Sequence, residues 1–196
     1  ARAAKQAGTP AIRTSSIRDV IAIKEETGLP VIGLVKIQYP GYEGYITPTM
    51  KEVDDLVAAG SDVVALDCTL RKRGDGTTIN EFIAQIKEKY PDIILMADIS
   101  NYEEGINAWK CGVDIVGTTM SGYTAYTSKK DEPDYELMER LAKDTDIPVI
   151  GEGKIHYPDQ AVKALQTGAW AIVVGGAITR PLEIAQRFQN AIEASK

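Results

Sequence analysis

The chain has 196 residues, of which 44% are hydrophobic, enough for one well-buried domain and too few for two. Its 22 Lys and Arg against 28 Asp and Glu give a net charge of −6, which argues against a nucleic-acid partner but permits a small anionic ligand. Two isolated cysteines, no signal peptide and no long apolar run predict a cytoplasmic protein with reduced thiols and no membrane segment.

Short apolar segments rich in β-branched residues alternate with helical segments along the chain, which predicts βα units and a parallel sheet. An alanine-rich helix over residues 1–7 comes first. Strands are predicted at residues 11–14, 30–36, 63–67, 93–98, 114–119, 148–154 and 171–176. Helices are predicted between them, beginning at or near Ser16, Thr49, residue 78, Asn101, residue 134 and Pro181, with one more ending at Gly168.

The predicted units have a regular length. Glycines precede every second strand at intervals of 52, 52 and 56 residues, so one βα unit has about 26–30 residues, as in a phosphate-binding (β/α)8 TIM barrel. Only seven strands can be counted. The sequence therefore predicts one barrel domain over residues 1–196 that lacks its first strand, since seven strands would leave two open edges. An open doubly wound sheet is the alternative fold.

Polar residues are predicted where the apolar strands end, which is where barrels of this kind build their functional site. They are Arg13, Lys36, Asp67, Asp98, Thr118, Thr119, Glu152 and Lys154. For Lys36 and Glu152 we favour a functional role, because burying a charged group without a purpose is costly. Asp67 is equally well explained as a loop cap, and Lys154 is better explained as a solvated loop residue.

The pair Gly175-Gly176, followed by Arg180, indicates a phosphate site. Glycines let backbone amides approach an anion, and the start of a helix adds its dipole. In barrels, phosphate commonly lies at the loops after strands seven and eight, which here contain Gly153 and Gly175. Arg180 would add a charge-assisted hydrogen bond.

His156 is the only histidine, and this limits the chemistry. A metal-dependent epimerase would need paired histidines with aspartates, so no metal site is predicted. A Ser-His-Asp triad would have no nucleophile elbow, and we interpret His156 as a surface loop residue. Acid–base work then falls to lysine and carboxylates, while a Schiff base is the other use of a lysine such as Lys36.

Six stretches together resemble the N-acetylmannosamine-6-phosphate 2-epimerase family. They are residues 11–13, 30–36, 96–99, 117–124, 151–153 and 175–181, and they follow the family order along the whole chain. The runs 117–124 (GTTMSGYT) and 175–181 (GGAITRP) are the most specific. The family's first strand, with its substrate-binding glutamine, has no counterpart here, which agrees with the strand count.

The resemblance implies a cofactor-independent conversion of N-acetylmannosamine 6-phosphate to N-acetylglucosamine 6-phosphate in sialic acid catabolism. Lys36 would remove and return the C2 proton, with Glu152 assisting. The resemblance also implies a set of substrate-binding residues and suggests a homodimer. The substrate-binding residues would be Arg13, Asp98, Gly153, Gly175, Gly176 and Arg180.

Two alternatives stay open on the sequence alone. One is another barrel enzyme acting on a phosphorylated ligand, of the thiamine-phosphate synthase or Schiff-base aldolase type; an aldolase would form an adduct on Lys36 that borohydride traps. The other is a non-catalytic sugar-phosphate sensor, which would bind its ligand without exchanging the C2 proton.

Overall fold

The computed structural model describes all 196 residues and contains seven parallel strands, each paired with its neighbours in the sequence. The strands are β1 (Ile12–Ser15), β2 (Val31–Leu34), β3 (Val63–Asp67), β4 (Ile94–Asp98), β5 (Ile115–Gly117), β6 (Val149–Glu152) and β7 (Ala171–Val173). The order β1-β2-β3-β4-β5-β6-β7 has no reversal. A doubly wound sheet reverses at a switch point, so the barrel prediction is confirmed and the alternative fold is wrong.

Helices connect successive strands. They are α1 (Arg2–Gln6), α2 (Ile17–Thr27), α3 (Met50–Ala58), α4 (Ile79–Lys89), α5 (Tyr102–Lys110), α6 (Tyr135–Asp144), α7 (Pro158–Gln166), α8 (Gly176–Thr179) and α9 (Pro181–Ala194). The predicted capping box of Thr49 and Glu52 is present at α3, and the Asn101 side chain accepts from the Glu104 amide at α5. None of the helices has the length and apolarity needed to cross a lipid bilayer.

Alternation along the strands divides the core into two layers. An outer cluster of 20 buried residues, including Leu66, Phe82 and Leu95, lies between the strands and the helices. An inner cluster of seven, including Leu34 and Met96, fills the barrel. Because successive side chains of a strand point to opposite faces, polar residues that follow inner-cluster positions face the barrel mouth.

The barrel is not closed between its first and last strands. β1 pairs only with β2, and β7 pairs only with β6. A cavity of about 710 Å³ lies against both of these edge strands. Whether a further strand belongs in the barrel, as the sequence predicts, stays a prediction.

Four predicted strands end two or three residues earlier in the structure, among them β5 and β7. β5 ends at Gly117, because the Thr118 side chain takes over the pairing with the neighbouring strand: its hydroxyl donates to the Glu152 carbonyl at 2.9 Å and accepts from the Glu152 N–H at 3.0 Å. β7 ends at Val173, and Gly176 already belongs to α8. Both glycines of the predicted phosphate site therefore lie at a helix start.

Candidate active site

A buried ionic centre joins β1 to the carboxyl ends of β4 and β6. Arg13 of β1 donates from NH2 to Oδ2 of Asp98 at 2.7 Å, and its Nε lies 3.2 Å from Oε2 of Glu152. The Thr119 hydroxyl donates to the other Asp98 oxygen at 2.6 Å, and NH1 of Arg13 approaches the sulfur of Met96 at 3.2 Å. The side chain of Asp98 is fully buried, and that of Arg13 is 7% exposed. One guanidinium thus organises two carboxylates.

The charges of this centre shift the protonation equilibria of its members. Burial alone would lower the pKa of the Arg13 guanidinium, but Asp98 and Glu152 reverse this and raise that pKa, so Arg13 stays charged. Burial raises the pKa of Glu152, the Asp98 charge adds to the rise, and Arg13 only partly opposes it. Glu152 therefore takes up a proton more readily than an ordinary glutamate does.

Lys36 lies at the mouth of the barrel, beyond the end of β2. Ile32 and Leu34 of β2 point into the inner cluster, and Lys36 continues that alternation toward the barrel axis. It lines the same cavity as Arg13 and Glu152. Its side chain is exposed, so the expectation that Lys36 is buried is wrong, whereas Glu152 is largely buried, with a side chain 18% exposed. The lysine reaches the solvent-filled mouth because the strand ends below it.

The loop after β6 is shaped by two residues with positive φ. Gly153 has a φ of 104°, which disfavours any other residue, and Lys154 has a φ of 59°. This turn directs the Lys154 amine to the Ser121 carbonyl at 2.9 Å and over the Tyr123 ring at 4.7 Å. Burial lowers the pKa of Lys154. The expectation that Lys154 is a solvated loop residue is wrong, since it fastens this loop to the one after β5.

The predicted phosphate residues lie on the open side of the barrel. Gly175 caps the short helix α8 and lines the cavity. A Cβ on Gly176 would come within 2.8 Å of an oxygen at the end of the Glu183 side chain, which would have to move aside. Arg180 is exposed, and its NH1 donates to Glu183 at 2.6 Å rather than facing the cavity. Gly176, Arg180 and Gly153 do not line the cavity.

Some site features were missed or misread in the sequence. The hydrogen bond of Thr119 to Asp98 could not be foreseen, because it joins the loop after β5 to β4. Asp67 accepts from both the amide and the hydroxyl of Thr69, as the loop-cap interpretation expects, and also pairs with Arg71 at 2.5 Å. The surface interpretation of His156 is wrong: it is half-buried, lines the cavity and has a buried Nδ1 without a hydrogen-bond partner.

The fold and the site together define a class of protein. A parallel βα barrel carries a lysine, an arginine and a carboxyl with a raised pKa around one cavity, which lies along the open edge between β1 and β7. This is the arrangement of a barrel enzyme that performs acid–base chemistry on a small anionic substrate. No group of three or more His, Cys, Asp or Glu side chains is arranged to hold a metal ion.

Comparison with known proteins narrows the class to one family. The family model NanE, described as "Putative N-acetylmannosamine-6-phosphate epimerase", matches residues 1–194. Proteins given the corresponding 2-epimerase name are 54% identical in Caldanaerobacter subterraneus subsp. tengcongensis and 49% identical in Clostridioides difficile. Each alignment covers 98% of this chain, and 81% and 86% of the respective relative. The chain belongs to the N-acetylmannosamine-6-phosphate epimerase family.

Solved structures agree with this assignment. The N-acetylmannosamine-6-phosphate 2-epimerase of Clostridium perfringens superimposes with a TM-score of 0.91 at 48% identity, over 97% of this chain and 82% of that one. A thiamine phosphate pyrophosphorylase from Pyrococcus furiosus superimposes with a TM-score of 0.61 at 23% identity, over 90% and 78%. The second similarity is one of fold alone, so it does not support the thiamine-phosphate alternative.

Proposed function

We propose that this protein interconverts N-acetylmannosamine 6-phosphate and N-acetylglucosamine 6-phosphate by removing the C2 proton and returning it to the opposite face, as a step of sialic acid catabolism. In the open-chain sugar, C2 lies next to the aldehyde, so loss of its proton gives an enolate that the C1 oxygen stabilises. Inversion at C2 turns the manno into the gluco configuration. The grouping of Lys36, Arg13 and Glu152 around one cavity, in a chain of this family, carries the proposal.

Lys36 is the base in this proposal. Its amine stands at the mouth of the cavity on the side of β2, facing the barrel axis. A neutral amine there takes the C2 proton, and the resulting ammonium then stands beside the enolate it has produced. Reprotonation from the other side completes the inversion, either by Glu152 or by Lys36 after the carbon skeleton has turned.

Arg13 and Asp98 orient the sugar. Two of the five N–H groups of Arg13 point at Asp98 and Met96, whereas its Nε lies 3.2 Å from Glu152 without a hydrogen bond, so the guanidinium keeps N–H groups for substrate oxygens. One of these can stabilise the negative charge that develops on O1. Because Asp98, itself held by the Thr119 hydroxyl, holds the guanidinium from the buried side, Arg13 needs little reorganisation when that charge forms.

Glu152 supplies the second acid–base group. Its raised pKa favours the protonated form, which can donate to the ring oxygen during opening or to C2 during inversion. One of its oxygens is buried without a hydrogen-bond partner although Arg13 is near, so this oxygen is free to bond a substrate hydroxyl.

The phosphate would bind on the open side of the barrel. The amides at Gly175 and Gly176 start α8, and Gly153 lies in the neighbouring loop. Arg180 follows α8 and starts α9; by exchanging its bond to Glu183 for one to the phosphate it would add a charged contact. No cofactor enters this scheme, because every proton transfer is assigned to a side chain.

Proton NMR in D2O tests the reaction directly. With N-acetylmannosamine 6-phosphate and the protein, we expect the C2 proton signal to disappear while the gluco epimer accumulates. Epimer formation without loss of the C2 signal would contradict deprotonation by solvent-exchanging groups. Binding without either change would favour the sensor, and a borohydride-trapped adduct on Lys36 would favour the aldolase.

Replacing Lys36 separates the base from the rest of the site. Lys36→Ala should reduce C2 proton exchange by about 10²-fold or more while leaving inorganic phosphate binding nearly unchanged, because the phosphate contacts lie on other loops. The matched control is Lys51→Ala, which removes an exposed lysine that pairs only with Asp55 on α3. Normal turnover by Lys36→Ala would show that another group is the base.

Two further expectations belong to this proposal. A cytoplasmic location fits a phosphorylated sugar, which is too highly charged to cross a membrane unaided. A homodimer fits the apolar side chains that α9 exposes, among them Leu182 and Phe188, since a partner could cover them. Sedimentation equilibrium would distinguish a dimer from a monomer.

A further inference from the structure

A short segment inserts between β2 and β3 directly beside Lys36. After Lys36 the chain leaves the barrel, and residues 45–47 return antiparallel to it, with Lys36 opposite Ile46. The N–H of Ile37 donates to the Tyr45 carbonyl at 2.9 Å, and the N–H of Asp67 donates to the Ile46 carbonyl at 2.9 Å. The segment thus bonds to the chain around Lys36 on one side and to β3 on the other.

Thr47 makes three hydrogen bonds in this segment. Its N–H donates to the Val35 carbonyl at 2.7 Å, and its hydroxyl accepts the Val35 N–H at 3.2 Å. The same hydroxyl donates to the Ala65 carbonyl of β3 at 2.7 Å. Thr47 is 1% exposed, so a lost partner could not readily be replaced by water. Both the N–H and the carbonyl of Val35, the residue before Lys36, are therefore hydrogen-bonded to Thr47.

The backbone of Thr47 is strained. Its φ of 47° lies in the left-handed region, which a β-branched residue rarely adopts. Gly or Asn would fit this conformation at lower cost, but neither carries the hydroxyl that joins Val35 to Ala65. Non-glycine residues in such conformations concentrate at functional sites, where the surrounding contacts hold them in place.

We propose that Thr47 is a positioning residue: by linking Val35 to Ala65, its hydroxyl fixes the position of the backbone from which the exposed Lys36 side chain extends into the site. This inference rests on the proposed role of Lys36 as the base. An exposed lysine has no packing of its own to hold it, so its reach toward C2 is set by its backbone. The Lys36 N–H, which donates to the Ser15 hydroxyl at 3.3 Å, adds an anchor on β1.

The consequence for the reaction is geometric. A base must approach the reacting proton within hydrogen-bond range, and a misplacement of about 1 Å can cost about 10²-fold in rate. If the Thr47 hydroxyl is lost, Val35 loses one anchor and Lys36 can drift, while the phosphate and Arg13 contacts stay in place. The expected signature is a loss in kcat with little change in KM.

Thr47→Val and Thr47→Ser test this. Thr47→Val keeps the shape and removes the hydroxyl, and we expect kcat for C2 exchange to fall by about 10- to 100-fold with KM little changed. Thr47→Ser keeps the hydroxyl and should restore most of the rate. The matched control is Thr27→Val on α2: Thr27 is also buried, donates to a carbonyl at 2.7 Å and accepts an N–H at 3.2 Å, but its partners are Ile23 and Leu29 and not the chain beside Lys36.

The outcomes separate this inference from the one on which it rests. If Lys36→Ala abolishes exchange and Thr47→Val turns over like the wild type, Lys36 is still the base but Thr47 does not position it. If the Lys36→Ala variant itself turns over normally, Lys36 is not the base, and the inference about Thr47 falls with that assignment. An equal kcat loss in Thr27→Val, or no recovery in Thr47→Ser, would also overturn the role of the hydroxyl. Should Thr47→Val not fold, Thr47→Gly removes the hydroxyl in a residue that suits this backbone.

Discussion

The two sides of the barrel differ in how completely they are packed. In β3, β4 and β5, residues such as Leu66, Leu95 and Val116 are fully buried. In β7 every residue is only half-buried, and α9 has no buried residue at all. The apolar pattern of the sequence is similar on both sides. Burial is therefore decided by what lies against each strand and not by its composition.

This difference in packing changes how much the same kind of ion pair contributes to stability. Arg13 and Asp98 meet at 2.7 Å out of contact with water, whereas Arg180 and Glu183 meet at 2.6 Å in solvent. Removing one partner of a buried pair leaves an uncompensated charge, while an exposed pair is screened. The buried pair therefore holds its groups in fixed positions, whereas the exposed pair can exchange partners with a ligand.

Asp98→Asn should give the largest effect. It leaves Arg13 buried with only Glu152 as a nearby counter-charge, so we expect the free energy of unfolding to fall by about 3 kcal/mol and epimerisation to be lost. Urea titration measures the first effect and C2 exchange the second. Asp55→Asn, which breaks only a surface pair with Lys51, is the control and should change neither. A stable Asp98→Asn variant would show that the stability of the fold does not depend on this pair.

Glu152→Gln should give an intermediate effect that depends on pH. The folded state holds the Glu152 proton more tightly than the unfolded state, so this group contributes stability below its ordinary pKa of 4.5, and that contribution is lost as pH rises through the raised value. Gln cannot titrate. The variant should therefore lose less Tm than the wild type as pH rises from about 4.5 to neutrality.

Scanning calorimetry across this range checks the Glu152 prediction. Glu139→Gln, at an exposed position of α6, is the control and should keep the wild-type slope. We also expect kcat of Glu152→Gln to fall by about 10²- to 10⁴-fold, as for the loss of a general acid–base group. A steeper pH dependence of Tm in the variant would contradict the raised pKa.

Arg180→Ala should give the smallest effect on stability and a clear effect on binding. The side chain is exposed and pairs only with Glu183, so we expect Tm to stay unchanged. KM should rise by about tenfold or more with kcat nearly constant, since one charged phosphate contact is lost. Lys143→Ala removes an exposed lysine near the end of α6 and controls for net charge. An unchanged KM in Arg180→Ala would place the phosphate elsewhere.

Local rules explain what could be predicted from the sequence. The strand Val63–Asp67 and the helix start at Pro181 were predicted at their observed positions, because apolar runs and an N-terminal proline are local signals. The end of β5 was predicted two residues late, since its pairing is taken over by the Thr118 side chain through a contact with Glu152 on another strand. Such a contact has no signature in either segment alone.

The sequence by itself determined the alternation of strands and helices, the length of the repeating unit and the placing of Asp98 and Glu152 at strand ends, because periodicity and chain direction are local properties. Only the tertiary structure decided that Arg13 meets Asp98 across 85 residues, that Lys36 is exposed and that Lys154 bonds Ser121. These outcomes depend on the curvature and stagger of the barrel, which arise from the packing of all strands together.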